Sequence, residues 1–302
     1  MGAFGRTALL FLVLTAVFVV FGWAIGSVFF GDWVTSVLLF LLLAGAMNAI
    51  AYFFADKIVL WSYRAKEATE AEAPQLYRVV QRVAGMNHLP MPRVYIVPTA
   101  TPNAFATGRN PKHAVVAVTQ GLFRVLDERE MTAVIAHEMA HVKDRDILVM
   151  SVAATVAGAI AFMSRMFWWN MWLGGRRGRN SNGSEAILLI VVAITAPIAA
   201  LLVQLAISRS REYKADVVGS RNSGAPDALA DALQKLERGN ARRPIEFGNP
   251  ASASLFIVNP FRGGSFVSIF STHPPIQERV RRLREMAQEI KYGRPMPAIH
   301  PA

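Results

Sequence analysis

The stretch that decides the fold is AVIAHEMAHVKDRDILVM, residues 133–150. Its first half places His137 and His141 four residues apart, and residues four apart lie on one face of an α-helix. Glu138 lies next to that face. The second half continues into ILVMSVAATVAGAIAFM, residues 147–163, which is apolar enough to contact lipid. The stretch therefore predicts a helix that carries a pair of metal ligands and then enters a membrane.

The start of this helix is indicated by LDEREM, in which Asp127 and Glu130 have the spacing of a capping box. The sequence contains no helix breaker from there until about Phe167. A single uninterrupted helix is therefore predicted over this range.

The HExxH pattern has a defined chemistry. Two imidazoles on one helix face can bind one zinc ion, and Glu138 is placed to take a proton from a water that zinc activates without being a ligand itself. The motif alone arises by chance in roughly one chain in a hundred of this length, and a solvated helix face with incidental histidines is the alternative. The apolar surroundings argue against that alternative, because buried polar side chains need partners.

A catalytic zinc site needs a third protein ligand, and SRSREYKAD supplies a candidate in Glu212. His141 lies six residues, roughly 9 Å, before one apolar block, and Glu212 lies five residues, roughly 7.5 Å, after the next. Two antiparallel helices would bring the two residues to the same height. Asp216, one turn after Glu212, could orient a ligating histidine. A surface salt bridge with a neighbouring arginine is the alternative for Glu212.

Apolar blocks long enough, or nearly so, to cross about 30 Å of hydrocarbon occur four times. They span residues 7–30, 33–54, 147–164 and 186–207. The first two carry no charge, and a cleaved signal peptide is the alternative for the first. Its length and the second block that follows at once favour a retained hairpin. About four transmembrane helices are predicted.

Basic residues set the predicted orientation. Arg6 precedes the first block, no Lys or Arg separates the first two blocks, and three basic residues follow the second: Lys57, Arg64 and Lys66. The positive-inside rule then puts the N-terminus and the residues after Phe54 in the cytoplasm. Arginines between the last two blocks oppose the rule if both cross. We expect crossing, and a partly inserted hairpin is the alternative.

Composition agrees with a membrane protein. Hydrophobic residues make up 53% of the 302 residues, the mean hydropathy is +0.31 and the net charge is +11. A basic face would be drawn to anionic lipid headgroups. Nucleic-acid binding is not expected, because the sequence has no zinc knuckle, RNP-type motif or basic-aromatic strip. The absence of cysteine excludes disulfides and cysteine zinc sites.

The remaining pattern predicts a small β-sheet beside the HExxH helix. RVYIVP is one strand, and NAFATGRNPKHAVVAV is two strands joined by a turn. Helices are predicted near APQLYRVVQRVAGM, near PDALADALQKLERG and from about Pro274 to Lys291. The predicted fold is therefore a mainly α integral membrane protein with an α+β domain around the HExxH helix, and the HExxH chemistry identifies this domain as a predicted zinc-metalloprotease domain.

The predicted organisation interleaves membrane and catalytic parts. The parts are an N-terminal transmembrane hairpin (1–55), a first cytoplasmic part with the sheet and HExxH helix (56–146), a second membrane hairpin (147–207) and a second cytoplasmic part (208–302).

HEMAH, SREYKAD, NAFATG and STHPP occur in an order that resembles the HtpX family of membrane-bound bacterial heat-shock zinc metalloproteases, a gluzincin-type family related to the CAAX prenyl proteases. The resemblance covers nearly the whole chain. It implies one zinc ion per chain held by His137, His141 and Glu212, with Glu138 as general base and Asp216 in support. It also implies a multi-pass protein of the bacterial inner membrane, with its catalytic domain in the cytoplasm and misfolded or damaged membrane proteins as substrates.

NAFATG resembles the family's substrate-binding edge strand, to which a peptide could add by main-chain hydrogen bonds. Its first four residues are Asn103, Ala104, Phe105 and Ala106. The Asn103 amide could also reach the scissile carbonyl. An ordinary core strand is the alternative.

His273 in STHPP is a candidate to stabilise the oxyanion of a tetrahedral intermediate, and the resemblance points the same way. A helix-start residue ahead of Pro274 is the alternative. Asp146 matches the family pattern without a firm role. The apolar residues 251–261 could form a lid, a membrane contact or a core loop.

These features predict an integral membrane zinc endopeptidase acting in protein quality control. One alternative is a membrane-embedded binding or chaperone-like scaffold with a structural metal. Such a site is normally closed by four protein ligands, whereas three candidates are found here. A narrow-specificity processing protease is the other alternative.

Overall fold

The computed structural model of the chain describes residues 3–25, 31–158, 209–248, 250–261 and 273–292. Within these ranges the helices are α1 (Ala3–Ile25), α2 (Trp33–Ser62), α3 (Pro74–Met86), α4 (Glu128–Lys143), α5 (Asp146–Gly158), α6 (Arg209–Ser223), α7 (Pro226–Arg242) and α8 (Ile276–Lys291). The strands are β1 (Lys66–Glu67), β2 (Arg93–Val97), β3 (Ala104–Gly108) and β4 (Ala114–Thr119). The protein is mostly helical with one small mixed sheet.

The N-terminal helices α1 and α2 pack against each other and expose large apolar side chains. Between them, Asn48 Nδ2 donates a hydrogen bond of 3.0 Å to Thr15 Oγ1, as polar side chains do across helices in lipid. Among the described residues, α2 alone is long and apolar enough to cross a membrane, and shorter apolar helices cover Phe4–Val20 and Asp146–Gly158. Most of the predicted second membrane hairpin, residues 159–207, lies outside the described residues.

The sheet has the strand order β1-β2-β4-β3. Strand β2 runs parallel to β4, and β1 and β3 run antiparallel to their neighbours. Strand β3 is last in the order and therefore lies at an edge of the sheet. The predicted strands are confirmed. The sheet separates two apolar cores because its side chains alternate between its two faces. Ala104 and Ala106 face the core formed with α3, α4 and α7, whereas Phe105 faces the core formed with α1, α2 and α5.

Helix α4 begins as the sequence predicts. The Asp127 side chain accepts from the Glu130 N–H at 2.8 Å, and the Glu130 side chain accepts from the Asp127 N–H at 3.0 Å. This capping box satisfies two N–H groups that a helix start would otherwise leave unpaired.

The prediction of one uninterrupted helix from this start to about Phe167 is wrong. Helix α4 ends at Lys143, and Arg145 has a φ of +58°, a left-handed conformation that stops the helical hydrogen-bond ladder. Helix α5 starts afresh at Asp146. The break matters because it turns the buried Asp146 carboxylate toward arginines of two other helices.

Candidate metal centre

Helix α4 carries its chemical residues into the interior. The exposed fractions of His137, Glu138 and His141 are 1%, 2% and 4%. The helix is buried nearly all round because it lies among the sheet, α3, α6 and α7. Buried titratable groups need partners, so their surroundings define what the site can do.

Glu212 on α6 meets both histidines. Its Oε1 lies 3.5 Å from His141 Nε2, and its Oε2 lies 3.7 Å from His137 Nε2. One candidate ligand atom from each of the three residues lies within 4.8 Å of the others. Two atoms that bind the same tetrahedral zinc at about 2.1 Å are about 3.4 Å apart, so the separations fit one shared ion. The structure thus brings together the three residues that the sequence singled out as ligands.

The close contact of α4 and α6 depends on Gly219. A Cβ added there would lie 2.7 Å from the main-chain nitrogen of His137 and 2.8 Å from its Cα. Real Cβ atoms do not approach a backbone so closely, so the two helix axes can be this near only with glycine at this position. The two turns of α6 between Gly219 and Glu212 then carry the carboxylate to the histidines.

Asp216 lies on the other side of His137. Its Oδ1 is 2.9 Å from His137 Nδ1, which leaves Nε2 facing Glu212. Arg279 on α8 binds Asp216 through two hydrogen bonds, from Nε at 2.9 Å and from Nη2 at 2.7 Å. This fully buried guanidinium offsets the buried carboxylate, and two parallel bonds fix its orientation.

Glu138 faces the edge strand of the sheet. Its Oε2 accepts a hydrogen bond of 2.9 Å from the main-chain N–H of Ala106. Burial raises the pKa of Glu138 to about 8. A carboxyl group whose pKa is near neutrality can accept a proton and give it back, which is what a general base must do.

The electrostatics of the two ligand types differ. Burial would raise the pKa of Glu212, but the charges of His273, His141 and Arg279 hold it well below its usual range. Burial would lower the pKa of His141, but the nearby carboxylates, first that of Asp146, raise it to about 9. At neutral pH the Glu212 carboxylate therefore lies next to a protonated His141 imidazole. A divalent cation can take the place of that proton.

His273 reaches the same centre from the residues before α8. Its Nδ1 lies 3.3 Å from Glu212 Oε2, and its side chain is 7% exposed. The structure therefore places this histidine, which the sequence indicated as a candidate to stabilise the oxyanion, beside a candidate metal ligand.

The predicted substrate strand is at the sheet edge, but its outer side is covered. Phe256 forms an antiparallel bridge with Phe105, and the Ile257 N–H donates to the Ala104 carbonyl at 3.1 Å. The Asn103 amide donates to the Val258 carbonyl at 2.6 Å. We call residues 250–261 the covering segment.

The covering segment also contacts the end of helix α2. The Tyr63 hydroxyl is 2.5 Å from Ser252 Oγ, and the Tyr63 ring packs edge-on against Phe256 at 4.9 Å between centroids. Phe105 stands edge-on to Phe256 at the same distance. These three aromatic rings join the end of helix α2, the edge strand and the covering segment.

Sequence reasoning missed Arg279. Helix α8 reads as a charged surface helix, yet Arg279 lies three residues after Ile276 and four before Leu283, on the apolar face. An arginine inside an apolar stripe signals a buried carboxylate partner. Arg6 and Arg211 were missed for another reason, because they meet Asp146 only after the break between α4 and α5.

The sequence is similar to those of known proteins over most of its length. The pattern of Peptidase family M48 matches residues 70–287. A protein named Protease HtpX homolog from Thermococcus sibiricus is 49% identical over 96% of this chain and 98% of its own length. Homologues of the same name from Syntrophobacter fumaroxidans and Pyrococcus furiosus are 50% and 48% identical, over 95% and 96% of this chain and over 100% and 98% of their own lengths.

A solved structure was also found to be similar. The crystal structure of S. mikatae Ste24p aligns with a TM-score of 0.49 and 16% identity over 89% of this chain. The present chain spans 62% of that longer protein.

Proposed function

The chain belongs to peptidase family M48, and we propose that it hydrolyses misfolded or damaged membrane proteins at a zinc site made by His137, His141 and Glu212. It is a zinc metalloprotease of a membrane. The observation that carries the site assignment is the buried convergence of two imidazole Nε2 atoms on one carboxylate. Two nitrogens and one oxygen are a donor set typical of catalytic zinc, which keeps a fourth position open.

When bound, the zinc ion supplies Lewis acidity that activates water near neutral pH and polarises a carbonyl oxygen. The chain's own residues supply the rest. The Glu138 carboxylate takes the proton of the attacking water and returns it to the leaving amine. Its position is fixed by the N–H of Ala106. Asp216 holds the proton of His137 on Nδ1 so that Nε2 presents its lone pair.

His273 is proposed to stabilise the oxyanion. It is buried beside Glu212, so its ring would face a peptide bond bound at the zinc ligands. An imidazole N–H in a water-poor site is an effective donor to developing negative charge.

Residues 103–106 are proposed to bind the substrate main chain. A peptide that adds to an edge strand is held through backbone groups, and this gives affinity with little sequence selectivity, as quality control requires. The covering segment occupies part of that edge through Phe256 and Ile257. We therefore propose that substrate displaces this segment as it enters.

The site is proposed to face the cytoplasm of a bacterial cell, with the chain crossing the inner membrane about four times. The two uncharged N-terminal blocks and the flanking basic residues support this arrangement. The proposed division into two membrane hairpins and two catalytic parts follows from the positions of all four apolar blocks in the sequence.

The decisive variant is Glu138→Gln, assayed on casein in detergent with zinc content measured in parallel. We expect zinc to remain at one ion per chain while cleavage falls by at least about 10²-fold, the usual size of a general-base contribution. Full activity in that variant would remove Glu138 from the mechanism. Glu237→Gln, at an exposed position on α7, is the matched control.

Glu212→Ala tests the third ligand, whereas wild type distinguishes a catalytic site from a scaffold with a structural metal. We expect Glu212→Ala to lose both zinc and cleavage. Wild-type protein that binds zinc through these residues but cleaves no substrate would favour the scaffold.

A further inference from the structure

Each candidate histidine ligand has an aspartate on its far side. His137 Nδ1 is 2.9 Å from Asp216 Oδ1, and His141 Nδ1 is 3.6 Å from Asp146 Oδ2. Both Nε2 atoms face Glu212. A carboxylate behind a metal-binding imidazole fixes the tautomer and the ring orientation.

Each of these aspartates is buried and therefore needs a cation. Arg279 binds Asp216. Asp146, whose side chain is 3% exposed, has two cations on one oxygen: Arg211 Nη1 at 3.0 Å and Arg6 Nη2 at 2.7 Å. The Arg6 contact is the shorter one, and it comes from the first membrane helix, 140 residues away in the chain.

We propose that Arg6 is a positioning residue of the metal centre, which holds Asp146 behind His141. The inference rests on the proposed zinc site and adds a role for helix α1. The N-terminal hairpin then does more than anchor the enzyme, because its first charged side chain completes the support of one zinc ligand. The buried Asp146 carboxylate needs a cation, and this explains why residue 6 is basic. The break between α4 and α5 turns Asp146 toward α1, and this explains how Arg6 reaches it.

The competing explanation is that Arg6 only orients the chain in the membrane, since it is the basic residue before the first apolar block. The two roles can be separated by moving the charge. Phe4 is 88% exposed and lies two residues before Arg6, so its side chain points away from Asp146. The double variant Phe4→Arg/Arg6→Gln keeps the N-terminal positive charge but removes the contact.

The readout is zinc affinity of the full-length protein in detergent, measured by competition with a chromogenic chelator, together with the visible spectrum of the cobalt-substituted protein. We expect Phe4→Arg/Arg6→Gln to bind zinc about tenfold more weakly, the lower end of the effect of losing support behind a ligand, and to shift the cobalt spectrum. Removing a positive charge would by itself tighten binding of a divalent cation. Weaker binding therefore reports lost positioning, and equal or tighter binding with an unchanged spectrum overturns the proposal.

Two further variants keep the result interpretable. Arg6→Lys keeps a cation at the same place and is expected to restore zinc affinity to within about threefold of wild type. Arg82→Gln, which removes an exposed pair with Glu128, is the control for loss of a surface arginine and should leave affinity and spectrum unchanged.

If Phe4→Arg/Arg6→Gln is not recovered from membranes, Arg6→Gln/Asp146→Asn is measured in its place, because that variant removes both charges together. Wild-type zinc affinity there, or a further loss relative to Asp146→Asn alone, overturns the proposal. Binding weaker than in wild type and equal to that of Asp146→Asn supports a role exerted through Asp146. Failure of the proposed function looks different, since wild type itself would then bind no zinc.

Discussion

At the scale of single residues, the site is an alternation of charges. Two imidazoles meet one carboxylate, each imidazole has an aspartate behind it, and each aspartate has at least one arginine. Burying charges is unfavourable unless they are paired and hydrogen-bonded. Each buried aspartate behind an imidazole therefore needs an arginine as its own partner. The residues that set the chemistry were visible in the sequence, whereas the arginines that make their burial possible were not.

Zinc binding should depend on pH through His141. Its pKa is raised to about 9 in the metal-free site, so the imidazole is protonated at neutral pH and must lose that proton to become a ligand. Apparent zinc affinity should therefore rise by up to about tenfold per pH unit and level off above pH 9. Chelator competition between pH 6 and 10 measures this.

Asp146→Asn provides the comparison for that pH dependence. The lost carboxylate removes the main cause of the raised pKa, so the plateau should begin at a lower pH. An identical pH dependence in the two proteins would show that Asp146 does not set the protonation of His141.

At the scale of secondary-structure elements, the distance between α4 and α6 decides whether the ligands can share an ion. Gly219→Ala would bring a Cβ against the backbone of His137, and neither helix backbone can yield without moving Glu212. We expect a loss of about 1–3 kcal/mol in stability, as for other overpacked positions, and weaker zinc binding. Thermal unfolding with and without zinc tests both.

Gly85→Ala on α3 is the matched control for that substitution. An added Cβ meets no atom within 4 Å there, so this change should be neutral or stabilise the helix by up to about 1 kcal/mol. If Gly219→Ala and Gly85→Ala had the same stability and zinc affinity, the close approach of α4 and α6 would not be needed for either property.

The covering segment supplies a second prediction at this scale. Tyr63→Phe removes the hydroxyl contact with Ser252 and leaves the aromatic packing in place. Loss of about 1 kcal/mol from the closed arrangement would increase the open population about fivefold. We expect cleavage of a short peptide to rise by up to that factor.

Tyr77→Phe is the control, because it also removes a tyrosine hydroxyl bond, to the Ala68 carbonyl, but does so away from the covering segment. A fall in activity specific to Tyr63→Phe would indicate that the covering segment helps to bind substrate instead of blocking the strand.

At the scale of the whole molecule, the sheet stands between helix α4, which carries two candidate metal ligands, and helices α1, α2 and α5. One face packs with α4 and α7, and the other packs with α1, α2 and α5. On this second side, Tyr63 at the end of α2 contacts the covering segment and Arg6 in α1 contacts Asp146, which lies behind His141. Helices α1 and α2 are therefore connected by side-chain contacts to the elements that hold the candidate metal ligands.

Membrane topology can be measured with single introduced cysteines, because the chain has no cysteine of its own. A single cysteine at Asp32, between α1 and α2, should react with a membrane-impermeant maleimide added outside intact cells. A cysteine at the exposed Glu70 should react only after the cells are opened. The reverse pattern would place the metal centre outside and refute the proposed orientation.

The sequence by itself determined the elements that depend on local rules. Helical spacing defined His137 and His141, the capping box defined the start of α4, and alternation defined the strands. The zinc donors could be predicted because their chemistry restricts the residue types and the spacing. The edge strand β3 could be predicted from the sequence pattern, but the segment that covers its edge could not.

Only the tertiary structure decided what lies behind and over that site. The break at Arg145, the reach of Arg6 to Asp146, the burial of Arg279 and the pairing of Phe256 with Phe105 join residues far apart in the chain. Such contacts depend on how whole elements pack. A buried arginine and a surface arginine are the same letter in a sequence, and only packing determines which of them loses its water and must find a carboxylate.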